Sequence, residues 1–194
     1  MEKHFITAND LLLDSFKLAE QIYARNYKPQ FIIGVWRGGA PVGIAVQEYL
    51  DFMGVDTNHI AIRTSSYYGI NQQHREIKIH GLDYVINHVE ADQELLIVDD
   101  VFDSGRSIKA IIDEIKKRAR KNTPNTIKTA CTWYKPNRNI TDLTPDFYVH
   151  ATDKWLIFPH EIKGLSRQEI LAGKGSEIAG TIFKGDLQES DLQE

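Results

Sequence analysis

Two adjacent carboxylates, Asp99 and Asp100, close the apolar run Leu95-Leu96-Ile97-Val98, and a third, Asp103, follows shortly after. A short loop of small and hydroxyl-bearing residues, Ser104-Gly105-Arg106-Ser107, comes next. Ile108-Lys109-Ala110-Ile111-Ile112-Asp113-Glu114-Ile115 then has the apolar spacing of a helix. A buried strand, a loop and a helix start in this order aim unpaired backbone N–H groups and the positive end of the helix dipole at one point, which suits a phosphate. Asp99 and Asp100 fall at the strand's carboxyl end, where ligands bind in open parallel sheets. Carboxylates beside a phosphate site repel the ligand unless they bind sugar hydroxyls or a metal. The segment therefore reads as a site for a phosphorylated sugar with magnesium.

A second constellation lies upstream. In Gly34-Val35-Trp36-Arg37-Gly38-Gly39-Ala40-Pro41 the glycines after an apolar run let backbone N–H groups approach an anion closely, and Arg37 adds a fork of donors for phosphate oxygens. Between the two lies a long polar stretch from Ser65 to Lys78, which has the character of a lid over a ligand.

The elements that position these groups follow from the pattern. Thr7 at an N-cap with Asp10 behind it opens a helix, and Leu11, Leu12, Phe16, Ala19, Ile22 and Tyr23 are expected on its buried face. Strands are predicted over Phe31–Trp36, Ile60–Thr64, Glu76–Ile79, Leu95–Asp99, Ile127–Trp133 and Phe147–Ala151. Helices are predicted from Ala40 and over Ser107–Arg120. Strands alternating with helices predict an α/β fold with a parallel β-sheet flanked by helices. We expect one domain over 1–194, with a core at about 28–135 and a small hood or cap from 1–27 and 136–180; residues 181–194 read as an acidic, disordered tail.

Composition is that of an ordinary globular chain: 42% hydrophobic and 26% charged, with a formal net charge of -4. Nothing in it suggests a nucleic-acid or membrane surface. The single cysteine, Cys131, lies in an apolar run and is expected as a small buried hydrophobe, so no disulfide framework forms within the chain. The histidines have no paired zinc spacing, and the basic run Lys116–Lys121 sits where it complements a helix dipole. An N-terminus without an apolar signal core leads to the expectation of a cytoplasmic protein.

Val98-Asp99-Asp100-Val101-Phe102-Asp103-Ser104-Gly105-Arg106-Ser107 resembles the phosphoribosyl pyrophosphate (PRPP) motif of the type I phosphoribosyltransferases, with Ser104 and Ser107 where the family usually has Thr. Arg37-Gly38-Gly39 resembles the family's pyrophosphate loop, in a form typical of its xanthine/guanine branch. The resemblance implies a non-proline cis peptide there, expected at Arg37–Gly38. Ser66-Tyr67 is similar to the pair that closes over PRPP, and Arg75 and Lys78 match basic positions used on pyrophosphate. Lys135, Trp155, Leu156 and Glu161 resemble the 6-oxopurine pocket, as the ring-oxygen donor, the stacking ring, the backbone contact and the acid. Glu161 stands where the family usually has Asp.

The resemblance implies a purine salvage enzyme that joins PRPP to hypoxanthine, guanine or xanthine. Ser104, Gly105, Arg106 and Ser107 would hold the 5'-phosphate, and Asp99 and Asp100 the ribose. Arg37, Gly38, Arg75 and Lys78 would take pyrophosphate, and Asp103 would act as the general base. Mg2+ would sit at Asp100 and Glu161, in a homodimer or homotetramer. A PRPP- or nucleotide-sensing regulatory protein of the same fold, or a transferase for a non-purine base, remains as the alternative.

Overall fold

The computed structural model describes residues 3–68 and 75–183. In chain order the elements are β1 (Lys3–Phe5), α1 (Ala8–Ala24), β2 (Phe31–Trp36), α2 (Gly39–Phe52), β3 (Asn58–Tyr68), β4 (Arg75–His80), α3 (Asp83–His88) and β5 (Glu94–Phe102). They continue with α4 (Arg106–Ala119), β6 (Thr126–Tyr134), β7 (Phe147–Ala151), β8 (Trp155–Ile157), α5 (Arg167–Lys174) and α6 (Ser176–Ile182). They group into two compact units, residues 12–153 and residues 1–11 with 154–194.

The larger unit is built on a six-stranded sheet in the order β4-β3-β2-β5-β6-β7. Five strands run parallel and β4 turns back antiparallel on β3. Strand β5 is central because its run from Leu95 to Val98 is wholly buried, as a strand covered on both faces must be. The core on one face packs Ile33, Val35, Leu95, Ile97 and Phe102 against Ile108, Ile111 and Ile115 of α4. Those isoleucines are the stripe predicted from the helical spacing. In β4 the register pairs Lys78 with Ser65 and places both on the sheet's outer hairpin.

The smaller unit pairs β1 in parallel with β8, setting Lys3 opposite Trp155 and Phe5 opposite Ile157. Helix α5 opens with a capping box: Ser166 Oγ accepts from Glu169 N and the Glu169 carboxylate accepts from Ser166 N. Among the described residues no helix is long and apolar enough to cross a membrane.

Two expectations are corrected. The Thr7–Asp10 cap forms, with Thr7 Oγ1 accepting from Asp10 N at 3.1 Å. The buried stripe of α1 nevertheless runs through Leu11, Asp14, Ser15, Leu18, Ala19 and Ile22, leaving Leu12 and Phe16 exposed. Two polar residues turn inward, and Asp14 has a partner there: its Oδ2 lies 2.8 Å from His150 Nε2 on β7. The other correction is the cis peptide, which lies between Trp36 and Arg37, one bond before the expected one.

Candidate active site

At the carboxyl ends of β2 and β5 the chain turns out of the sheet twice, and the two turns meet. Strand β2 is fully buried up to Val35, then leaves through the cis bond into Arg37-Gly38-Gly39 and starts α2. Strand β5 carries Asp99 and Asp100 near its carboxyl end and closes at Phe102; residues 103–105 then lead to the start of α4 at Arg106. A Cβ on Gly39 would stand 2.5 Å from Val98 O, and one on Gly38 would stand 1.7 Å from Asp100 Oδ2. Only glycines let these two loops touch.

The acidic pair is held from below. Thr132 Oγ1, fully buried on β6, donates to Asp100 O at 2.8 Å. Asp99 Oδ1 accepts from Asp100 N, and Asp100 Oδ1 from Val101 N. Burial and the neighbouring Asp100 carboxylate push Asp99 well above the usual carboxylate range. Two crowded carboxylates of this kind fit a cation or sugar hydroxyls. A magnesium ion takes one or two carboxylates and completes its shell with substrate oxygens and water, and no group of three or more acidic, histidine or cysteine side chains around a metal position occurs among the described residues. Asp100, which packs against Gly38, is the carboxylate of the pair that would hold it, with substrate oxygens and water completing the shell.

The loop expected to hold the phosphate, residues 104–107, is the next layer. Gly105 caps α4 with φ of +75°, a left-handed value that favours glycine. The first amides of α4 have no acceptor within the helix and face the loop. Arg106 is exposed, Ser104 and Ser107 are half-buried, and Ser107 Oγ lies 3.5 Å from Thr64 Oγ1 of β3.

Asp103 stands at the mouth of this loop between two cations. Its Oδ2 is 3.7 Å from Lys135 Nζ and its Oδ1 accepts from Arg138 Nε at 2.6 Å. Lys135 is buried at 5% exposure, and its backbone N–H ties the end of β6 to Phe102 O at 2.9 Å. The larger unit thus brings Arg37, Gly38, Asp99, Asp100, Asp103, Ser104, Gly105, Arg106, Ser107 and Lys135 together on adjacent strand ends. Lys78 lines a groove of about 450 Å³ between β4 and α4, together with His80, Asp113, Glu114 and Lys117. Trp155, half-exposed, and Leu156, buried, lie on β8 of the smaller unit, where Glu161 Oε2 accepts from Phe158 N at 3.1 Å. The expected lid falls partly outside the described residues, which omit residues 69–74 and the side chains of Ser66, Tyr67 and Arg75.

Residues 7–169 match the family model of the phosphoribosyl transferase domain. The chain belongs to the phosphoribosyltransferase family. A hypoxanthine-guanine phosphoribosyltransferase of Streptococcus pyogenes is 30% identical over 149 residues, covering 76% of this chain and 77% of the relative. Among solved structures, a purine phosphoribosyltransferase from Pyrococcus horikoshii is 32% identical with a TM-score of 0.66, covering 86% of this chain and 99% of that one. A xanthine-guanine-hypoxanthine phosphoribosyltransferase of Helicobacter pylori, at 19% identity and a TM-score of 0.66, shares the fold over 83% of this chain and 95% of its own. As a phosphoribosyltransferase, the chain has the mixed α/β architecture predicted from its strand and helix pattern.

Sequence reasoning missed several residues of this site. Arg138 pairs with Asp103, and the run Lys135-Pro136-Asn137-Arg138 contained the signal: a proline-started 3-10 turn places residues three apart on one side. Asn139 and Thr141 brace the phosphate loop, their side-chain oxygens within 2.9 and 2.4 Å of a Cβ built on Gly105. His59 packs behind the Arg37-Gly38-Gly39 loop, its Nε2 2.8 Å from the Cβ position of both Gly34 and Gly43. Neither contact leaves a local trace in the sequence.

Proposed function

We propose that this phosphoribosyltransferase is a purine salvage enzyme that transfers the 5-phosphoribosyl group of PRPP to a 6-oxopurine, giving the nucleoside 5'-monophosphate and pyrophosphate. The observation that carries the reading is the buried Lys135 ammonium, paired with Asp103 at the mouth of the phosphate loop. An ammonium only donates, so it favours the ring oxygen of hypoxanthine, guanine or xanthine over the amino group of adenine. The name of the Streptococcus pyogenes relative supports the same class, and that of the Pyrococcus horikoshii structure supports a purine substrate.

The residues divide the work by charge. Ser104, Gly105, Arg106 and Ser107 take the 5'-phosphate with backbone N–H groups and hydroxyls. Asp99 and Asp100 hold the ribose hydroxyls, and the negative charge that the pair retains favours the developing oxocarbenium character at C1. Arg37 and the amide of Gly38 hold the leaving pyrophosphate; Arg75 and Lys78 are assigned to it on the sequence resemblance alone. Asp103 accepts the proton of purine N7 as the N9–C1 bond forms and the C1–pyrophosphate bond breaks. Ser66 and Tyr67 belong to a lid that excludes water. Trp155 stacks on the purine, Leu156 offers it backbone groups and Glu161 is the acid of the pocket; these three assignments rest on the sequence resemblance alone, as does the metal role of Glu161. Asp100 would hold Mg2+ together with the substrate's own oxygens, and the ion would supply charge neutralisation for the pyrophosphate. The protein works in the cytoplasm as a homodimer or homotetramer.

A spectrophotometric assay with PRPP and magnesium against hypoxanthine, guanine, xanthine and adenine in parallel tests the reading. Turnover of at least one 6-oxopurine and none of adenine is expected. Turnover of adenine alone, or of no base while PRPP still binds, overturns it.

A further inference from the structure

The two oxygens of Asp103 are shared between different cations. Oδ2 faces the buried Lys135 ammonium at 3.7 Å, and Oδ1 accepts from Arg138 Nε at 2.6 Å. A carboxylate plane is otherwise loosely set, because its terminal torsion is broad and roughly two-fold. Arg138 is well placed to set it. It ends the turn Pro136–Arg138 that follows Lys135, and its own N–H donates to Lys135 O at 3.1 Å. Two residues later the same segment is strapped to the phosphate loop by Ile140 N donating to Ser104 O at 3.2 Å. The guanidinium and the carboxylate it grips are therefore carried by segments tied to each other.

We propose that Arg138 is a positioning residue for phosphoribosyl transfer, holding the Asp103 carboxylate so that Oδ2 is the oxygen presented to the purine. The proposal rests on the 6-oxopurine reading above. In that reading Lys135 has two claims on it, Asp103 and the ring oxygen of the base. As its ammonium turns to the base, Arg138 remains on Oδ1 and keeps the carboxylate from swinging away. The proton leaving purine N7 then arrives on Oδ2, while Oδ1 stays bonded to the guanidinium.

Stability does not account for the pair. The Arg138 side chain is 46% exposed and that of Asp103 35%, and ion pairs this open add little to a fold. Direction does account for it. A guanidinium presents donors in a rigid plane, whereas an ammonium is a point charge on a flexible stem. Lysine at position 138 would thus restore charge without restoring the full orientation.

The test compares the wild type with Arg138→Gln and Arg138→Lys. In Arg138→Gln, kcat with PRPP and a 6-oxopurine is expected to fall by about 10- to 100-fold, the range that misplacement of a reacting group produces. The KM for PRPP should stay within about twofold, and the thermal midpoint should not move. Arg138→Lys should recover part of the lost kcat. An unchanged kcat overturns the proposal. So does a raised KM for PRPP, or for pyrophosphate in the reverse direction, at unchanged kcat, which would make Arg138 a pyrophosphate ligand. A crystal structure of Arg138→Gln provides a readout that needs no turnover: the Asp103 carboxylate should leave its wild-type plane, and its retention overturns the proposal. A wild type that turns over no purine while the carboxylate does rotate would count against the 6-oxopurine reading and leave the positioning role of Arg138 standing.

Discussion

Gly38 lies directly against Asp100, so close that a Cβ on the glycine would fall 1.7 Å from Asp100 Oδ2 and 2.2 Å from its Cγ. The loop assigned to the leaving pyrophosphate and the carboxylate assigned to the ribose are therefore one packed object. On the proposed assignment, charge explains why they belong together: the acid would anchor the sugar and its counter-ion, and the glycine loop's amides would take the anion that departs.

Gly38→Ala follows from this contact. The added methyl cannot be accommodated by a flexible tip, because Asp100 is 9% exposed and its backbone oxygen is held by Thr132. Either the loop or the acid must shift by about 1 Å, and kcat/KM is expected to fall about 100-fold or more. The far-ultraviolet circular dichroism should remain that of the wild type. Steady-state kinetics on the purified variant decide it, and activity within about threefold of wild type would show the contact to be slack.

His59 makes the stability of this region depend on pH. Its ring is wedged beside Gly34 and Gly43, with Nδ1 3.2 Å from Gln47 Oε1 and Nε2 buried without a hydrogen-bond partner. Burial pulls its pKa below the ordinary value of 6.5. The unfolded chain then binds the proton more readily than the folded one. The stabilisation is present above about pH 6.5 and is lost as the pH falls through the depressed folded value. The thermal midpoint should therefore drop between about pH 7.5 and pH 5, and drop less in His59→Gln, whose side chain does not titrate. Equal slopes in the two proteins would mean that His59 titrates alike in the folded and unfolded states.

Asp103→Asn removes the proposed proton acceptor while keeping its shape. General bases contribute about 10²- to 10⁴-fold, so kcat should fall within that range. The KM for PRPP should change little, because the 5'-phosphate is held by the loop that follows. The opposite split, a raised KM at unchanged kcat, would make Asp103 a ligand of PRPP. Substitution in the presence of Arg138 also leaves that guanidinium without its anionic partner, so the double variant with Arg138→Gln should be less than additive.

Much of this arrangement was legible in the sequence because it rests on local signals. The buried run before Asp99 and Asp100, the glycines after β2 and after Asp103, and the isoleucine stripe of α4 each dictate one element without help from distant residues. What was not legible depends on distant partners. Asp14 lines the buried face of α1 opposite His150 of β7, and no periodicity within the helix reports that partner. The cis bond before Arg37 has no side-chain signature. The pairing of β1 with β8 joins segments far apart in the chain. The capping box at Ser166 and Glu169 has a local signature, but the helix it opens is short and weakly apolar, so the surrounding pattern does not mark it.

Gly105 offers the sharpest separation of binding from chemistry. It sits at φ of +75°, and a Cβ there would meet Thr141 Oγ1 at 2.4 Å, Asn139 Oδ1 at 2.9 Å and the Phe102 ring at 2.9 Å. Asn139 cannot yield easily, since its Nδ2 donates to Leu143 O at 2.6 Å and its Oδ1 accepts from both the N and the Oγ1 of Thr141. Gly105→Ala thus combines a left-handed backbone cost of about 1–2 kcal/mol with a steric one. The thermal midpoint should fall by roughly 2–4 °C for each kcal/mol in a chain of this size. The phosphate loop would open at the helix start, so PRPP affinity by isothermal titration calorimetry should weaken at least about tenfold. Thr141→Ser keeps the hydroxyl that Asn139 accepts from and should leave both quantities near wild type. If Gly105→Ala binds PRPP normally despite its lower thermal midpoint, the 5'-phosphate does not sit at the start of α4.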